Sequence, residues 1–179
     1  MKVLITRMLC WTLRMGLSLR YRISMKNIKE LKKLKKSKRG CLILPNHPAE
    51  IDPILVGSHL WNYFKPHPLV VEKFYYYPGA KFFMDLAGAI PIPDFEVSVN
   101  NWKVKKGDEA YENILQKLKQ GENLLVYPAG LLKRTAHEKI GGSSLISRLM
   151  SDYRDFDILL VRIDGLWGSM FSRALTGNI

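Results

Sequence analysis

The stretch Cys41-Leu-Ile-Leu-Pro-Asn-His-Pro-Ala-Glu-Ile-Asp52 is the strongest indicator of the fold. Its first four residues are apolar without polar alternation, which is typical of a strand buried on both faces of a sheet, and the prolines that follow mark a turn. Two later runs have the same form: residues 123–126 precede Tyr127-Pro-Ala-Gly130, and residues 158–163 precede Asp164-Gly165. The sequence therefore predicts three buried strands, each followed at once by a turn.

Helical patterns lie between these runs. Apolar residues recur at helical spacing over residues 108–120, and shorter helices are predicted over 54–64, over 80–87 and from a cap at Ser143 to about Met150. Strands that alternate with helices predict an α/β fold, with a central and largely buried sheet flanked by helices. Chemistry in such sheets gathers beyond the carboxyl ends of the strands. The candidate site loops are therefore residues 46–52, 127–134 and 164–168.

Charge is distributed very unevenly along the 179 residues. Residues 1–39 hold 13 Lys/Arg and one acid, whereas residues 40–179 hold 15 basic and 15 acidic residues, so the net charge of +12 lies wholly in the first segment. We call residues 1–39 the basic arm. The two cysteines are too few for a disulfide framework or a zinc site, which favours a reducing compartment. We expect a membrane-binding segment at 1–39 and one domain with its own core at 40–179.

The basic arm combines an apolar helical pattern with a polybasic run. Over residues 3–19, Arg7, Arg14 and Ser18 share one helical stripe, and the remaining surface is mostly apolar. Because arginine is costly in hydrocarbon, this pattern favours an amphipathic helix that lies in the membrane interface over one that spans it. Residues 26–39 add eight Lys/Arg that attract anionic lipid. A solvated charge run or a nucleic-acid-binding arm is the alternative, but the run lacks aromatic residues for base stacking, so we expect no nucleic acid.

The first site loop carries His47 and Asp52, five residues apart. A carboxylate on one imidazole nitrogen fixes the tautomer and leaves the other nitrogen free as a general base. The pair makes up two-thirds of a catalytic triad, and a substrate hydroxyl can be the missing nucleophile. Because the spacing alone is weakly specific, a loop histidine beside a helix-capping aspartate is the structural alternative.

Other chemistries find no support in the sequence. It contains no G-x-S-x-G, no G-x-G-x-x-G and no Walker lysine loop. His59, His67 and His137 lack metal-ligand spacing, so no metal site is expected. The aromatic runs 75–77 and 82–83 indicate core or interface residues, or the lining of an acyl groove.

Four blocks taken together resemble the glycerophospholipid acyltransferase superfamily, which includes lysophosphatidic acid and lysophospholipid acyltransferases. They are Asn46-His-Pro-Ala-Glu-Ile-Asp52, similar to N-H-x-x-x-x-D; Leu86-Ala-Gly-Ala-Ile-Pro-Ile-Pro-Asp94; Leu124-Leu-Val-Tyr-Pro-Ala-Gly130, similar to a block that ends in F-P-E-G; and Val161-Arg-Ile-Asp-Gly165. The run 161–177 is also similar to the acyltransferase domain of acylglycerophosphoethanolamine acyltransferases. The resemblance covers residues 40–177.

The resemblance implies a reaction and its partners. A lysophospholipid hydroxyl would attack the thioester of acyl-CoA or acyl carrier protein, with His47 and Asp52 as the catalytic pair and with no cofactor or metal. Acceptor binding would fall to the block Tyr127, Pro128, Ala129 and Gly130. The protein would then be cytoplasmic and bound peripherally to the inner face of an anionic membrane.

Two positions depart from the family pattern. Ala129 stands where the third block has a glutamate that helps to hold the acceptor, and Asp94 lies at or near the place of a phosphate-gripping arginine. The second departure points away from phosphatidic acid synthesis. By motif position, the nearest basic substitutes are Lys133, Arg134 and Arg162, which could bind a phosphodiester or lie on the surface as solvated charges.

Overall fold

The computed structural model describes residues 1–94, 100–135, 137–138, 140 and 144–174. Five strands form one parallel sheet: β1 Cys41–Pro45, β2 His67–Val71, β3 Ile90–Ile92, β4 Leu124–Leu125 and β5 Asp157–Val161. The described helices are α1 Lys2–Arg20, α2 Ile28–Leu34, α3 Asp52–Phe64, α4 Glu72–Tyr75, α5 Ala80–Ala87, α6 Asn101–Lys119 and α7 Ser144–Asp152. The predicted α/β fold, with a sheet flanked by helices and an N-terminal helix in front, is confirmed.

The strand order β3-β2-β4-β1-β5 gives the sheet two buried faces, each with its own apolar cluster. Ile43 and Leu125 point to one face, where they pack with Val56 and Leu60 of α3. The other face is covered by α6 and α7, whose buried residues surround Leu42 and Leu124. Because all five strands are parallel, their carboxyl ends lie at one edge of the sheet, which we call the carboxyl edge.

The three predicted strands are confirmed as β1, β4 and β5, but burial on both faces is wrong for β5. Among the described strands, β5 lies at the edge of the sheet and pairs with β1, from Cys41 opposite Asp157 to Pro45 opposite Val161. Ile158 is 43% exposed and Leu160 is 77% exposed. An unbroken apolar run is therefore not proof of a central strand.

Two strands were not predicted. β2 and β3 contain Pro68 and Pro91, and proline lacks the N–H that a central strand needs. β3 is the other edge of the sheet, which tolerates proline well. β2 pairs on both sides, with β3 from Leu69 onward and with β4 only at His67 and Pro68.

The predicted helices at 54–64 and 80–87 are confirmed as α3 and α5. The helix predicted from residue 108 begins earlier, because Asn100 caps it by accepting a hydrogen bond from the backbone N–H of Lys103 at 2.8 Å. Its first turns are rich in lysine and bury little, so they carry no apolar pattern to reveal them. The predicted cap Ser143 lies outside the described residues.

The helix α1 packs on α3 through a narrow buried face made of Thr6, Cys10 and Leu17. Arg14 lies on this inner side, where its guanidinium donates hydrogen bonds to the backbone carbonyls of Ser58 and His59 in α3. Apolar residues therefore point outward along much of α1. Within the described residues, none of the helices combines the length and hydropathy needed to cross a membrane.

The helix α2 lies within the basic arm and attaches it to the body of the molecule. Leu31 is buried in the cluster around Ile43, and Tyr21, Met25 and Leu34 pack against the same cluster. The lysines of α2 stay exposed on its other side. The proposed division at residue 39 remains a prediction.

Candidate active site

The loop that carries His47 is clamped to the end of β5 by Asn46. The Asn46 amide group donates to the backbone carbonyl of Ile163 at 3.0 Å, and the backbone N–H of Ile163 donates to Asn46 Oδ1 at 2.6 Å. The backbone N–H of Asn46 also donates to the Val161 carbonyl at 3.2 Å. Two neighbouring strands thus fix the point at which the loop leaves the sheet.

The chain then folds back at Pro48 and enters α3. The backbone N–H of Ala49 donates to Asp52 Oδ2 at 2.8 Å, while the backbone N–H of Asp52 donates to the Ala49 carbonyl at 3.2 Å. Asp52 is the first residue of α3, where the helix dipole favours a negative charge. This local turn explains why the spacing of five residues brings the carboxylate back to the imidazole.

His47 and Asp52 are in direct contact. The Nδ1 atom of His47 lies 3.1 Å from Oδ2 of Asp52. The aspartate side chain is fully buried, whereas the histidine side chain keeps 15% of its surface exposed. An ionised carboxylate only accepts hydrogen bonds, so Nδ1 must carry the proton of this contact. The neutral imidazole then has Nε2 as its free basic nitrogen.

Tyr127 packs its ring against the imidazole. The centroids of the two rings are 4.2 Å apart at an angle of 31°. The Tyr127 hydroxyl and Asp52 Oδ1 are both buried without a hydrogen-bond partner among the described residues. Burial, and then the negative charge of Asp52, raise the pKa of the Tyr127 hydroxyl well above its ordinary value. The hydroxyl therefore stays neutral beside the buried carboxylate.

The second site loop also reaches His47. The backbone N–H of Lys133 donates to the His47 carbonyl at 2.9 Å, and the Lys133 ammonium lies 4.6 Å from the centre of the Trp167 ring. The carboxylate of Glu138 accepts a hydrogen bond from the His47 backbone N–H at 2.9 Å. The first and second site loops thus meet at His47 on the carboxyl edge, and the third adjoins them where Trp167 lies against Lys133.

Comparison with known proteins is decisive for the family. An acyltransferase family model matches residues 22–156, which is most of the chain. The chain belongs to the acyltransferase family. This family is the glycerophospholipid acyltransferase family that the four blocks resemble, so the identification from the sequence is confirmed. No curated protein matches the chain.

In this acyltransferase, the matched region contains the loop from Asn46 to Asp52 and the block that begins at Tyr127. Tyr127, Pro128, Ala129 and Gly130 form a tight turn after β4, closed by a hydrogen bond from the Gly130 N–H to the Tyr127 carbonyl at 3.0 Å. Gly130 has a φ of 69°, a backbone conformation that favours glycine. The methyl group of Ala129 offers no charge to an acceptor.

The basic candidates are not equally close to His47. Lys133 reaches it through the hydrogen bond from its backbone N–H to the His47 carbonyl. Arg134 is exposed, and Arg162 is 84% exposed and pairs with Asp164 at 2.9 Å. The structure therefore joins Lys133 to the histidine and leaves Arg134 and Arg162 on the surface of neighbouring loops.

Sequence reasoning missed two residues of this site. The sequence marks Asn46 as part of the first block but gives no sign that it clamps β1 to the end of β5. Glu138 carried no signal at all, because its contact with His47 joins residues 91 positions apart in the chain. Only a folded structure could have found that contact.

The acyltransferase uses two other histidines structurally. His67 Nδ1 lies 2.7 Å from the Gly88 carbonyl, and its Nε2 lies 2.8 Å from a Glu122 oxygen. Burial lowers the pKa of His59, whose Nδ1 lies 2.9 Å from the Leu55 carbonyl. No group of three potential metal ligands is found in the described part of the chain.

Proposed function

We propose that the protein transfers a fatty acyl group from acyl-CoA or acyl carrier protein to the free hydroxyl of a lysophospholipid, in phospholipid synthesis or remodelling. The observation that carries the proposal is the 3.1 Å contact between His47 Nδ1 and the fully buried Asp52 carboxylate. Membership of the acyltransferase family supports acyl transfer in general. The lipid acceptor is inferred from the blocks and from the basic arm.

In the proposed reaction, His47 Nε2 takes the proton of the acceptor hydroxyl while the hydroxyl oxygen attacks the thioester carbonyl carbon. The tetrahedral intermediate then collapses, so that the C–S bond breaks and the new ester remains. The imidazolium returns its proton to the departing thiolate. Asp52 orients the ring and stabilises its transient positive charge.

The acceptor phosphate is expected on the side of the second site loop. The backbone of Lys133 is bonded to His47 and its ammonium lies over the Trp167 ring, and Arg134 follows it in the same loop. Arg162 stands beyond the end of β5, where a larger headgroup could reach it. The turn from Tyr127 to Gly130 would form the wall between the acceptor and the sheet.

The proposed place of the reaction is the inner, cytoplasmic face of an anionic membrane. The basic arm holds the entire excess of positive charge, and its first helix turns apolar residues outward. An apolar helix and a polybasic run together supply the two signals that stable peripheral anchoring requires.

An acyl-transfer assay with acyl-CoA or acyl-loaded carrier protein and a panel of lysophospholipids tests the proposal. We expect His47→Ala to reduce turnover by about 10²–10⁴-fold, the usual contribution of a general base. His59→Gln is the matched control, because this histidine lies in α3 and, among the described residues, bonds to groups on its own helix and to Arg14. Equal turnover by wild type and His47→Ala would remove His47 from the mechanism.

A lipid-binding relative without catalysis is the second candidate, and Ala129 favours it. If the missing carboxylate has abolished turnover, wild type should be inert with every acceptor while it still binds the lipid. Ala129→Glu should then restore transfer if the rest of the site is intact. Turnover by the wild type would exclude this candidate.

A further inference from the structure

The segment α4–α5, residues 72–87, exposes an unusual number of aromatic side chains. Helix α5 buries none of its eight residues, although its sequence Ala80-Lys-Phe-Phe-Met-Asp-Leu-Ala87 is largely apolar. Five aromatic residues are each more than half exposed: Phe74 57%, Tyr76 56%, Tyr77 66%, Phe82 65% and Phe83 51%. We call these five residues the aromatic patch. Exposed patches of this kind mark interaction surfaces.

The aromatic patch is held in place by internal contacts. Among the aromatic residues of the segment, Tyr75 is buried. Its hydroxyl donates a hydrogen bond to Asp85 Oδ1 at 2.5 Å. Lys81 contacts the other oxygen of Asp85 at 2.6 Å. The two short helices are thus braced against each other, so the exposed rings belong to a structured surface.

The aromatic patch lies beside helix α1. The Thr6 hydroxyl is 3.4 Å from the Leu86 carbonyl at the end of α5, and the two helices are in contact. The segment also starts at the carboxyl end of β2, which shares its edge of the sheet with His47. It therefore connects the N-terminal helix to the end of the molecule that carries the candidate site.

Helix α1 turns an apolar stripe away from the domain. Its members are spaced three or four residues apart and lie on one helical face: Leu4 62% exposed, Met8 63%, Trp11 65%, Met15 52% and Leu19 90%. A surface helix of a globular protein normally turns its apolar stripe toward the core and its polar face toward water. Here Thr6 and Arg14 face the domain, so the apolar stripe is left without a protein partner among the described residues.

We propose that the aromatic patch and the apolar stripe of α1 enter the same anionic phospholipid leaflet, so that the membrane-binding surface extends well beyond the basic arm. This inference rests on the proposed function, which already places the arm at a membrane. Charge complementarity selects the lipid as the occupant, because the net charge of +12 lies in the arm that contains α1. Tyrosine and other amphipathic rings favour the level of the headgroups, and the exposed Lys73 and Lys81 flank them there.

This arrangement has a consequence for the reaction. A leaflet that contacts α1 and α4–α5 together lies against the side of the molecule next to the carboxyl edge. A lysophospholipid could then present its hydroxyl to His47 while its acyl chain remains in the leaflet. The full acceptor need not leave the membrane.

A fluorophore placed in the patch tests the inference directly in the full-length chain. Both native cysteines are buried, at 7% exposure for Cys10 and 2% for Cys41, so Phe82→Cys adds an accessible thiol for an environment-sensitive label. The matched control is Leu160→Cys, because Leu160 is also well exposed, at 77% against 65% for Phe82, but lies on the edge strand β5. The probe is a vesicle of phosphatidylglycerol and phosphatidylcholine, some of it carrying nitroxide-labelled chains.

We expect the label at residue 82 to shift to shorter wavelength on vesicle addition, to become protected from aqueous iodide and to be quenched by nitroxide-labelled chains. The label at residue 160 should remain aqueous in the same sample. If the labelled protein sediments with the vesicles while the label at residue 82 stays exposed to iodide, the inference is overturned and anchoring by the arm alone stands.

Removal of the rings gives an independent measurement. The double variant Phe82→Ser/Phe83→Ser should lower the partition coefficient into these vesicles about tenfold or more, because two large apolar side chains no longer leave water. Leu160→Ser should leave it unchanged. Self-association that the double variant abolishes, without any change in vesicle binding, would assign the patch to a second copy of the chain and overturn the proposal.

The same samples separate this inference from the proposed function. Acyl transfer is assayed in parallel on wild-type protein with the vesicles present. A buried label at residue 82 with no turnover would support the membrane surface and reject the proposed activity. Turnover with a label at residue 82 that stays in water would support the proposed activity and reject the membrane surface.

Discussion

At the scale of single residues, Asn46 makes a reciprocal pair of hydrogen bonds with the backbone of Ile163. Asn46→Ala should destabilise the fold by about 1–3 kcal/mol, because it leaves a backbone N–H and a carbonyl at a half-buried site without partners. Acyl transfer should fall further than stability alone explains, since the His47 loop loses its clamp. Urea unfolding and initial rates measure the two effects.

Asn46→Asp serves as the control for that experiment. It keeps the oxygen that accepts from the Ile163 N–H and loses the donor to the Ile163 carbonyl. Because the second carboxylate oxygen then faces the Ile163 carbonyl oxygen and repels it, the stability of this variant should be no higher than that of the alanine variant. An alanine variant as stable and as active as wild type would show that the clamp is dispensable.

We expect the free energy of unfolding to fall at high pH because of the buried thiol of Cys41. Burial and, to a smaller extent, the charge of Asp157 raise the pKa of this thiol from 9.0 to about 12. Above about pH 9 the unfolded chain gives up the thiol proton while the folded chain retains it, so the free energy of unfolding falls as the pH rises toward the folded pKa. Urea unfolding at about pH 8 and about pH 10 should show this fall.

The contribution of Cys41 is isolated by comparison with Cys41→Ala. The variant is less stable at every pH because it loses the buried sulfur, but its stability should decline less steeply over the same pH interval. Identical slopes for the two proteins would mean that another group, such as Tyr111 with its pKa raised to about 12, accounts for the alkaline loss.

The residues of the site were predictable only where the contact is local. His47 and Asp52 could be paired from the sequence, because a turn and the first turn of a helix bring residues five apart together. Two other contacts of His47 are the hydrogen bond to Glu138 and the packing against the Tyr127 ring. Both depend on where separate loops end after the sheet has formed. No pattern in the sequence encodes those distances.

At the scale of elements, the backbone of Gly40, just before β1, lies very close to the backbone at the end of α6. A Cβ atom there would lie 2.6 Å from the Leu118 carbonyl oxygen and 2.7 Å from that of Glu122, and both atoms belong to the backbone. Gly40→Ala should therefore push β1 away from the end of α6 and cost about 1–3 kcal/mol, as overpacking does elsewhere. Thermal unfolding measures the loss.

Gly57→Ala is a suitable control for this prediction. Gly57 lies inside α3, and a Cβ added there meets nothing within 4 Å. Alanine should stabilise that helix slightly through its higher helix propensity. Similar losses for both variants would mean that the tight contact at Gly40 is not responsible.

The elements themselves were predictable to different degrees. Strand β1 and helix α3 follow from an apolar run and from a helical pattern of apolar residues. Strands β2 and β3 contain prolines and short apolar segments, so the sequence hides them. The exposed face of β5 was not predictable, because Leu160 would look the same in a central strand and at an edge.

At the scale of the whole molecule, the separation of charge predicts binding to anionic vesicles. Lys32, Lys33, Lys36 and Lys38 are all exposed, so their replacement by glutamine should leave the fold intact. Near anionic lipid each lysine contributes on the order of 1 kcal/mol, so the quadruple variant should bind such vesicles at least about a hundredfold more weakly. Vesicle sedimentation at several salt concentrations measures the effect.

The same quadruple variant decides between lipid and nucleic acid. Salt-dependent binding of DNA or RNA that exceeds vesicle binding, and that the four substitutions abolish, would favour a nucleic-acid-binding arm. Deletion of the whole arm would be a poorer test, because Leu31 belongs to the core and its loss would destabilise the domain.

The central claim is that Asp52 holds His47 in the tautomer that can deprotonate a lipid hydroxyl. The most direct test is the initial rate of acyl transfer by Asp52→Asn, with vesicle binding and unfolding measured on the same preparation. An asparagine can present N–H to Nδ1 and so favour the wrong tautomer, and the rate should fall by about 10²–10⁴-fold while the protein stays folded and membrane-bound. A folded Asp52→Asn protein that transfers acyl groups as fast as wild type would contradict the account.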